Sequence, residues 1–376
     1  MSDESNTRES GGDPGPRPPA PGPLQKIKPA VRAITAYTLP PYRATIKLNQ
    51  NENPFDMPEA IKREVERRLS ARPWSRYPDF VPAALLEALA TFAGWKAEGT
   101  LAGNGSNELI QATLMVTVGH GTRVVLPEPT FTLYRQIVNV LGGEALGVPL
   151  TGDLQFDVDA IRERATNEGA DLIIICSPNN PTGCRIRDDE LRAIARDFEG
   201  LIVVDEAYHE FSGHSVVPLL EELPNLVVLR TFSKAMAMAG LRVGYLLTRA
   251  KLAREIHKAT LPYNLNFFSA TAAQVACEHY DLLRPQIDLL VGERERVFAA
   301  LNSIPGLKPV PSAANFLVVR TAVEPRKVFN ELLARDILIR DVSKYPMLAD
   351  YFRLSIGSPA ENDRLIAALN EVMRAS

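Results

Sequence analysis

The sequence predicts an α/β fold: a large domain with a mainly parallel central sheet covered by helices, plus a small α+β domain. Three observations carry this reading. Short runs that are apolar on both faces recur through the middle of the chain, as in TRVVLPEP, DLIIICSP, GLIVVDEA, NLVVLRTFS and LRVGYLLT. This is the pattern of strands buried on both sides in a parallel sheet. Between and around them lie segments whose apolar residues are spaced three to four apart, as amphipathic helices require. Near Gln286 the rhythm changes, and a long helical stretch leads into a second set of strands.

Taken in order, residues 1–25 stand apart. The stretch GGDPGPRPPAPGP (11–23) is nearly all Gly, Pro and Ala. It cannot bury enough apolar surface to offset the entropy of ordering, and reads as a disordered, polyproline-like tail. It lacks the apolar centre of a signal peptide, and its acidic residues argue against a mitochondrial transit peptide. From about residue 81, PAALLEALATFAGW and SNELIQATLMVTVG read as amphipathic helices. The five strands follow, the first four ending in Pro, Ser or an acid; the carboxyl ends of such strands are where open α/β sheets bind ligands. After Gln286 come the helix IDLLVGERERVFAALNSI, the strands NFLVVRT, DILIRDV and YFRLSIG, and the closing helix PAENDRLIAALNEVMR.

Composition excludes several function classes. Lysine plus arginine (42) against aspartate plus glutamate (45) gives a net charge of −3 over 376 residues, so no basic excess is available to track nucleic acid. No apolar stretch of roughly 18 residues occurs, so no transmembrane helix is expected. Cys176, Cys184 and Cys277 are too few and too scattered for a disulfide framework or a zinc site. Asp205, His209 and His214 match no standard metal spacing. The class expected is a cytoplasmic, enzyme-sized globular protein.

The polar residues at the strand ends carry the chemistry. Asn180 in SPNNPTG follows DLIIIC; Asp205 and Tyr208 in DEAYHE end LIVV; Ser233 and Lys234 in TFSK follow NLVVLR, with Arg242 shortly after. GNGSNE (103–108) joins a turn to a helix start, which makes an anion site from the backbone N–H groups of Ser106 and Asn107. It lacks the third glycine of a dinucleotide fingerprint and the GK of a P-loop, so it implies neither NAD nor ATP.

These motifs, with KLNQNENPF (47–55), RYPD (76–79), EPTF (128–131) and FRLSIGSPAEND (352–363), identify a resemblance. From about Tyr37 to the C-terminus the chain resembles the pyridoxal-phosphate-dependent aminotransferases of the aspartate aminotransferase fold (fold type I), most closely the histidinol-phosphate aminotransferase branch. The resemblance implies an N-terminal arm (26–60) packing with the small domain, a large pyridoxal-phosphate-binding domain (61–285) and a small C-terminal domain (286–376). It implies that Lys234 forms the Schiff base with pyridoxal 5'-phosphate and carries the proton between Cα and the cofactor. Asp205 would keep the pyridine nitrogen protonated, and Tyr208 and Asn180 would bond the phenolic oxygen. Ser106, Asn107, Ser233 and Arg242 would hold the phosphate, and Tyr77 would reach it from the neighbouring subunit of a homodimer. Phe131 would stack on the ring, where the family often has tyrosine.

For substrate, the resemblance assigns Arg353 to the α-carboxylate, Arg340, Tyr37 and Asn107 to a substrate phosphate, and Tyr263 to an imidazole pocket. No metal is implied. The activity implied converts L-histidinol phosphate and 2-oxoglutarate to imidazole acetol phosphate and L-glutamate, in histidine biosynthesis. An aromatic amino-acid aminotransferase, of the same architecture, and a threonine-phosphate decarboxylase, with the same cofactor, stay open as alternatives. Asp56 departs from the glycine usual after NENPF.

Overall fold

The middle apolar runs assemble into one seven-stranded sheet in the computed structural model, which describes residues 22–36 and 41–375. Tyr37 and most of the expected tail lie outside the described residues. The chain divides into two units, 1–38 and 39–376. Of the first, the described part holds a 3-10 turn, Pro23–Lys26, and a one-turn helix, Pro29–Arg32, neither with a buried side chain.

The second unit begins with an arm strand β1 (Ile46–Lys47). The large sheet follows: β2 (Thr100–Asn104), β3 (Arg123–Glu128), β4 (Glu144–Pro149), β5 (Leu172–Cys176), β6 (Leu201–Asp205), β7 (Leu226–Thr231) and β8 (Val243–Leu247). Its order is β2-β8-β7-β6-β5-β3-β4, and every pairing is parallel except the two made by β8. Alternate residues enter opposite cores. Ile173 and Ile175 pack in one apolar cluster, while Leu172, Ile174 and Cys176 pack in another, as a sheet covered on both faces demands. The two edge strands, β2 and β4, escaped the sequence reading: TLAGN and EALGVP contain glycine, are partly exposed and carry no continuous apolar run.

The helix Arg284–Asn302 leads to a second sheet built from β9 (Leu307–Pro309), β10 (Phe316–Thr321), β12 (Arg340–Asp341) and β13 (Tyr351–Ser355), antiparallel in the order β12-β13-β10-β9. DILIRDV, expected as one strand, is divided. Its first half is β11 (Ile337–Leu338), which pairs in parallel with β1 of the arm, and its second half is β12, which joins β13. Two different edges satisfy the backbone on either side of the buried Ile339. Leu48 ties the arm on further, donating to Leu338 O at 2.8 Å and accepting from Ser355 N at 2.9 Å. The closing helix Pro359–Arg374 starts on a Ser358–Glu361 capping box. No described helix is long and apolar enough to cross a membrane.

Candidate active site

The turn after β2 meets the start of β8 with no room for side chains. Gly105 has φ +76° and ψ 163°, a conformation essentially confined to glycine. A Cβ on it would lie 2.5 Å from Arg242 Nη2, and one on Gly244 would lie 2.2 Å from Ser106 N. Bare backbone therefore lets the helix Ser106–Thr117 start beside Arg242. Arg242 Nη1 donates to Ser233 Oγ at 3.1 Å and to Ala239 O at 3.2 Å. Free helix-start N–H groups, a hydroxyl and a guanidinium together make an anion cradle. Asn107, on the first turn, is exposed.

Asp205 ends β6 and is 3% exposed. Tyr134 Oη donates to its Oδ2 at 2.6 Å and Ala207 N to its Oδ1 at 3.1 Å. Burial pushes its carboxyl up to about 6, against the pull of the Tyr134 bond. Lys234 Nζ donates to Gln50 O at 2.8 Å. Burial, and then the positive charge of Arg353, bring its amine down to about 8. Tyr208, buried, accepts from Asn51 Nδ2 at 3.0 Å, and burial pushes its phenol up.

Arg353 on β13 connects the two sheets. Its Nη1 donates to Asn180 Oδ1, its Nη2 to Asn49 O at 2.9 Å, and its guanidinium lies over the Phe316 ring at 5.2 Å. Arg340 on β12 is the direct antiparallel partner of Arg353, so the two side chains share one face of the sheet. The Arg340 side chain is partly exposed and makes no hydrogen bond or ion pair among the described residues. Phe131, partly buried, meets Tyr134 edge to face at 5.5 Å.

Two expected residues, Tyr77 and Tyr263, meet each other. Tyr77, 79% exposed, stacks on Tyr263 at 4.6 Å between centroids, and Phe80 meets Tyr263 edge-on at 5.5 Å. Tyr37, a candidate for the substrate phosphate, lies outside the described residues. Conversely, sequence reasoning missed Asn51 and Tyr134. Asn51, buried at φ 57°, bonds Tyr208 and exchanges hydrogen bonds with Ser355. Its place inside KLNQNENPF was its only signal. Of the other polar candidates, His214 Nε2 pairs with Asp188 at 2.8 Å and His209 Nδ1 faces Glu206 O at 3.1 Å.

The donor set fits pyridoxal phosphate. A buried carboxylate with no cationic side chain hydrogen-bonded to it among the described residues suits a protonated ring nitrogen, an amine lowered to about 8 suits an aldehyde, and the glycine-lined cradle suits a phosphate.

Comparison with known proteins agrees. Residues 43–369 match the family described as aminotransferase class I and II. The histidinol-phosphate aminotransferase of Chlorobium luteolum is 41% identical over 350 residues, covering 93% of this chain and 98% of that protein. That of Chlorobium phaeovibrioides is 40% identical over 348 residues, covering 92% and 96%. Among solved structures, histidinol-phosphate aminotransferase from Sinorhizobium meliloti in complex with pyridoxal-5'-phosphate is similar, with a TM-score of 0.84 at 26% identity, over 93% of this chain and 98% of that one.

Proposed function

The chain belongs to the class I and II aminotransferases, pyridoxal-phosphate-dependent enzymes, and from that premise we propose that it transfers the amino group of L-histidinol phosphate to 2-oxoglutarate. The products are imidazole acetol phosphate and L-glutamate, and the working form is a cytoplasmic homodimer. In this reading residues 61–285 are the cofactor-binding domain and 286–376 the small domain.

Bound pyridoxal phosphate supplies an electrophilic carbon for the amine and a ring that takes up the electron pair left at Cα. The chain supplies everything else. Lys234 would hold the aldehyde end, Asp205 the ring nitrogen, Asn180 and Tyr208 the phenolic oxygen, Phe131 one ring face, and Ser106, Asn107, Ser233 and Arg242 the phosphate. Lys234, with its amine lowered to about 8, moves the proton at Cα, since a base works best with its pKa near the working pH. Arg353 grips the carboxylate of glutamate and 2-oxoglutarate bidentately.

The single observation that carries the donor assignment is the pairing of Arg340 with Arg353. Two guanidinium groups on one sheet face, one of them without a partner among the described residues, offer more positive charge than a single carboxylate uses. Histidinol phosphate has no α-carboxylate and places a phosphate one carbon further out, which Arg340 suits. The names carried by the relatives above support the same donor. The test compares kcat/KM for histidinol phosphate, phenylalanine, tyrosine and phosphothreonine, with 2-oxoglutarate as acceptor. Histidinol phosphate should lead clearly; phenylalanine or tyrosine ahead of it would overturn the assignment in favour of an aromatic aminotransferase.

A further inference from the structure

Behind Asp205 stands a group to which the sequence motifs assign nothing. Tyr134 is wholly buried in the helix Leu133–Leu141, and its phenol donates to Asp205 Oδ2 at 2.6 Å with the Cys176 thiol also beside it. We propose that Tyr134 is a positioning residue for the reaction: its phenol aims the Asp205 carboxylate and holds it ionised, so that the cofactor's ring nitrogen meets a fixed negative charge. This inference rests on the role proposed above for Asp205.

The geometry is that of a strong, oriented contact. At 2.6 Å the bond lies in the range of charge-assisted O–H···O⁻ bonds. The terminal torsion of an aspartate is broad and soft, so an unheld carboxylate rotates. Here one oxygen is tied by a phenol and the other by the Ala207 N–H, and each keeps acceptor capacity to spare. Tyr134 is also locked from its other side, because its ring meets Phe131 edge to face. The single turn EPTFTLY thus carries both the ring proposed to stack on the cofactor and the phenol that orients its counter-charge.

Electrostatics makes the bond matter. The groups facing Asp205 are Tyr134 from the helix, Cys176 opposite it on β5, Tyr208 and Glu206 from its own strand end, and Lys234. Burial pushes the Cys176 thiol up, so it stays neutral. Glu206 is bound by Arg230 at 2.9 Å. Burial, with Asp205 beside it, drives the Tyr134 phenol well above its ordinary value, so it remains a donor across the working pH range. Burial raises Asp205, and Tyr134 is the leading influence that opposes it.

The test substitutes Tyr134→Phe and measures pyridoxal phosphate affinity by equilibrium titration from pH 5 to 9, alongside the absorbance of the loaded protein. The expected result at pH 7.5 is about 10- to 100-fold weaker binding, the range for losing a hydrogen bond to a charged group. The acid limb of the affinity profile should move to higher pH. In an Asp205→Asn background the same substitution should change affinity by less than about two-fold, because the coupled partner is gone. Equal losses in both backgrounds, or a lowered Tm with an unmoved acid limb, would make Tyr134 a packing residue and overturn the inference. If Asp205→Asn alone leaves affinity and absorbance unchanged, it is the reading of Asp205 that fails. Site-specific 3-fluorotyrosine at 134 preserves packing and strengthens the donor. It should move the acid limb to lower pH; a limb unmoved there would count against the inference even if Tyr134→Phe does not fold.

Discussion

Asp205 and Lys234 are both held away from their ordinary ionisation. The Asp205 carboxyl lies at about 6 instead of 3.8, because burial disfavours its charge. The folded chain therefore keeps a proton that the unfolded chain has lost, and the stability this contributes is present at acid pH and fades as pH rises through about 6. A carboxyl moved that far carries about 3 kcal/mol of pH-dependent stability. Asp205→Asn should accordingly stabilise the cofactor-free protein in urea unfolding at pH 7.5, with a gain of about 1–3 kcal/mol that shrinks toward pH 4. Saturating pyridoxal phosphate should reverse the ranking, since only the native acid can pair with a protonated ring. Equal stabilities at both pH values would mean Asp205 is not ionised at a cost. Arg340 sets the second expectation at this scale. Losing a charge-assisted phosphate contact costs about 2–4 kcal/mol, so Arg340→Ala should lower kcat/KM for histidinol phosphate by roughly 30- to 1000-fold. The glutamate half-reaction, assigned here to the proposed carboxylate site at Arg353, should fall distinctly less; equal losses would make Arg340 a general support of the site.

At the level of elements, the site depends on backbone that tolerates no side chain. Gly105 and Gly244 face the same cradle but differ in what an added Cβ would meet. At Gly244 the obstacle is the Ser106 backbone; at Gly105 it is the far end of the flexible Arg242. Gly244→Ala should therefore displace the helix start and lower Tm even without cofactor. Gly105→Ala carries about 1–3 kcal/mol of backbone strain and turns Arg242 away from Ser233, so it should weaken pyridoxal phosphate binding more than ten-fold (about 1.4 kcal/mol). Differential scanning of both variants, loaded and empty, separates the two. The same contrast explains how much of the fold was legible. Strands buried on both faces announce themselves as unbroken apolar runs, and β5, β6 and β7 fall within one or two residues of DLIIIC, LIVVD and NLVVLR. Edge strands bury less, so β2 and β4 left no run to read. DILIRDV divides because its two halves find partners distant in sequence, β1 and β13, which no local pattern encodes. Asn51 and Tyr134 were illegible for that same reason: each acquires its place only through a contact with Tyr208 or Asp205.

At the scale of the whole molecule, the segments around Tyr77 and Tyr263 present an apolar surface to solvent. Trp74, Tyr77, Phe80, Leu261, Tyr263 and Phe268 are all exposed, and the Tyr77–Tyr263–Phe80 ring contacts bring the two segments together. An exposed aromatic cluster of this kind is what the interface of the proposed homodimer would cover. In a two-fold dimer the same patch serves both subunits, and Tyr77 would then stand beside the partner's cofactor rather than its own. Complementation decides this. Lys234→Ala protomers lack the amine, and Tyr77→Ala protomers lack the ring offered to the partner. With shared sites, a mixed dimer collects both lesions in one site and leaves its other site intact. After complete subunit exchange of an equal mixture, half the dimers are mixed and half their sites are whole, so activity should recover to about a quarter of wild type. If each subunit instead completes its own site, no combination of the two variants yields an intact one, and mixing restores nothing. Exchange is verified by differently tagged subunits, and the comparison requires Tyr77→Ala alone to be clearly impaired. Proven exchange without recovery would place Tyr77 in its own subunit's site and return the aromatic patch to a purely structural role.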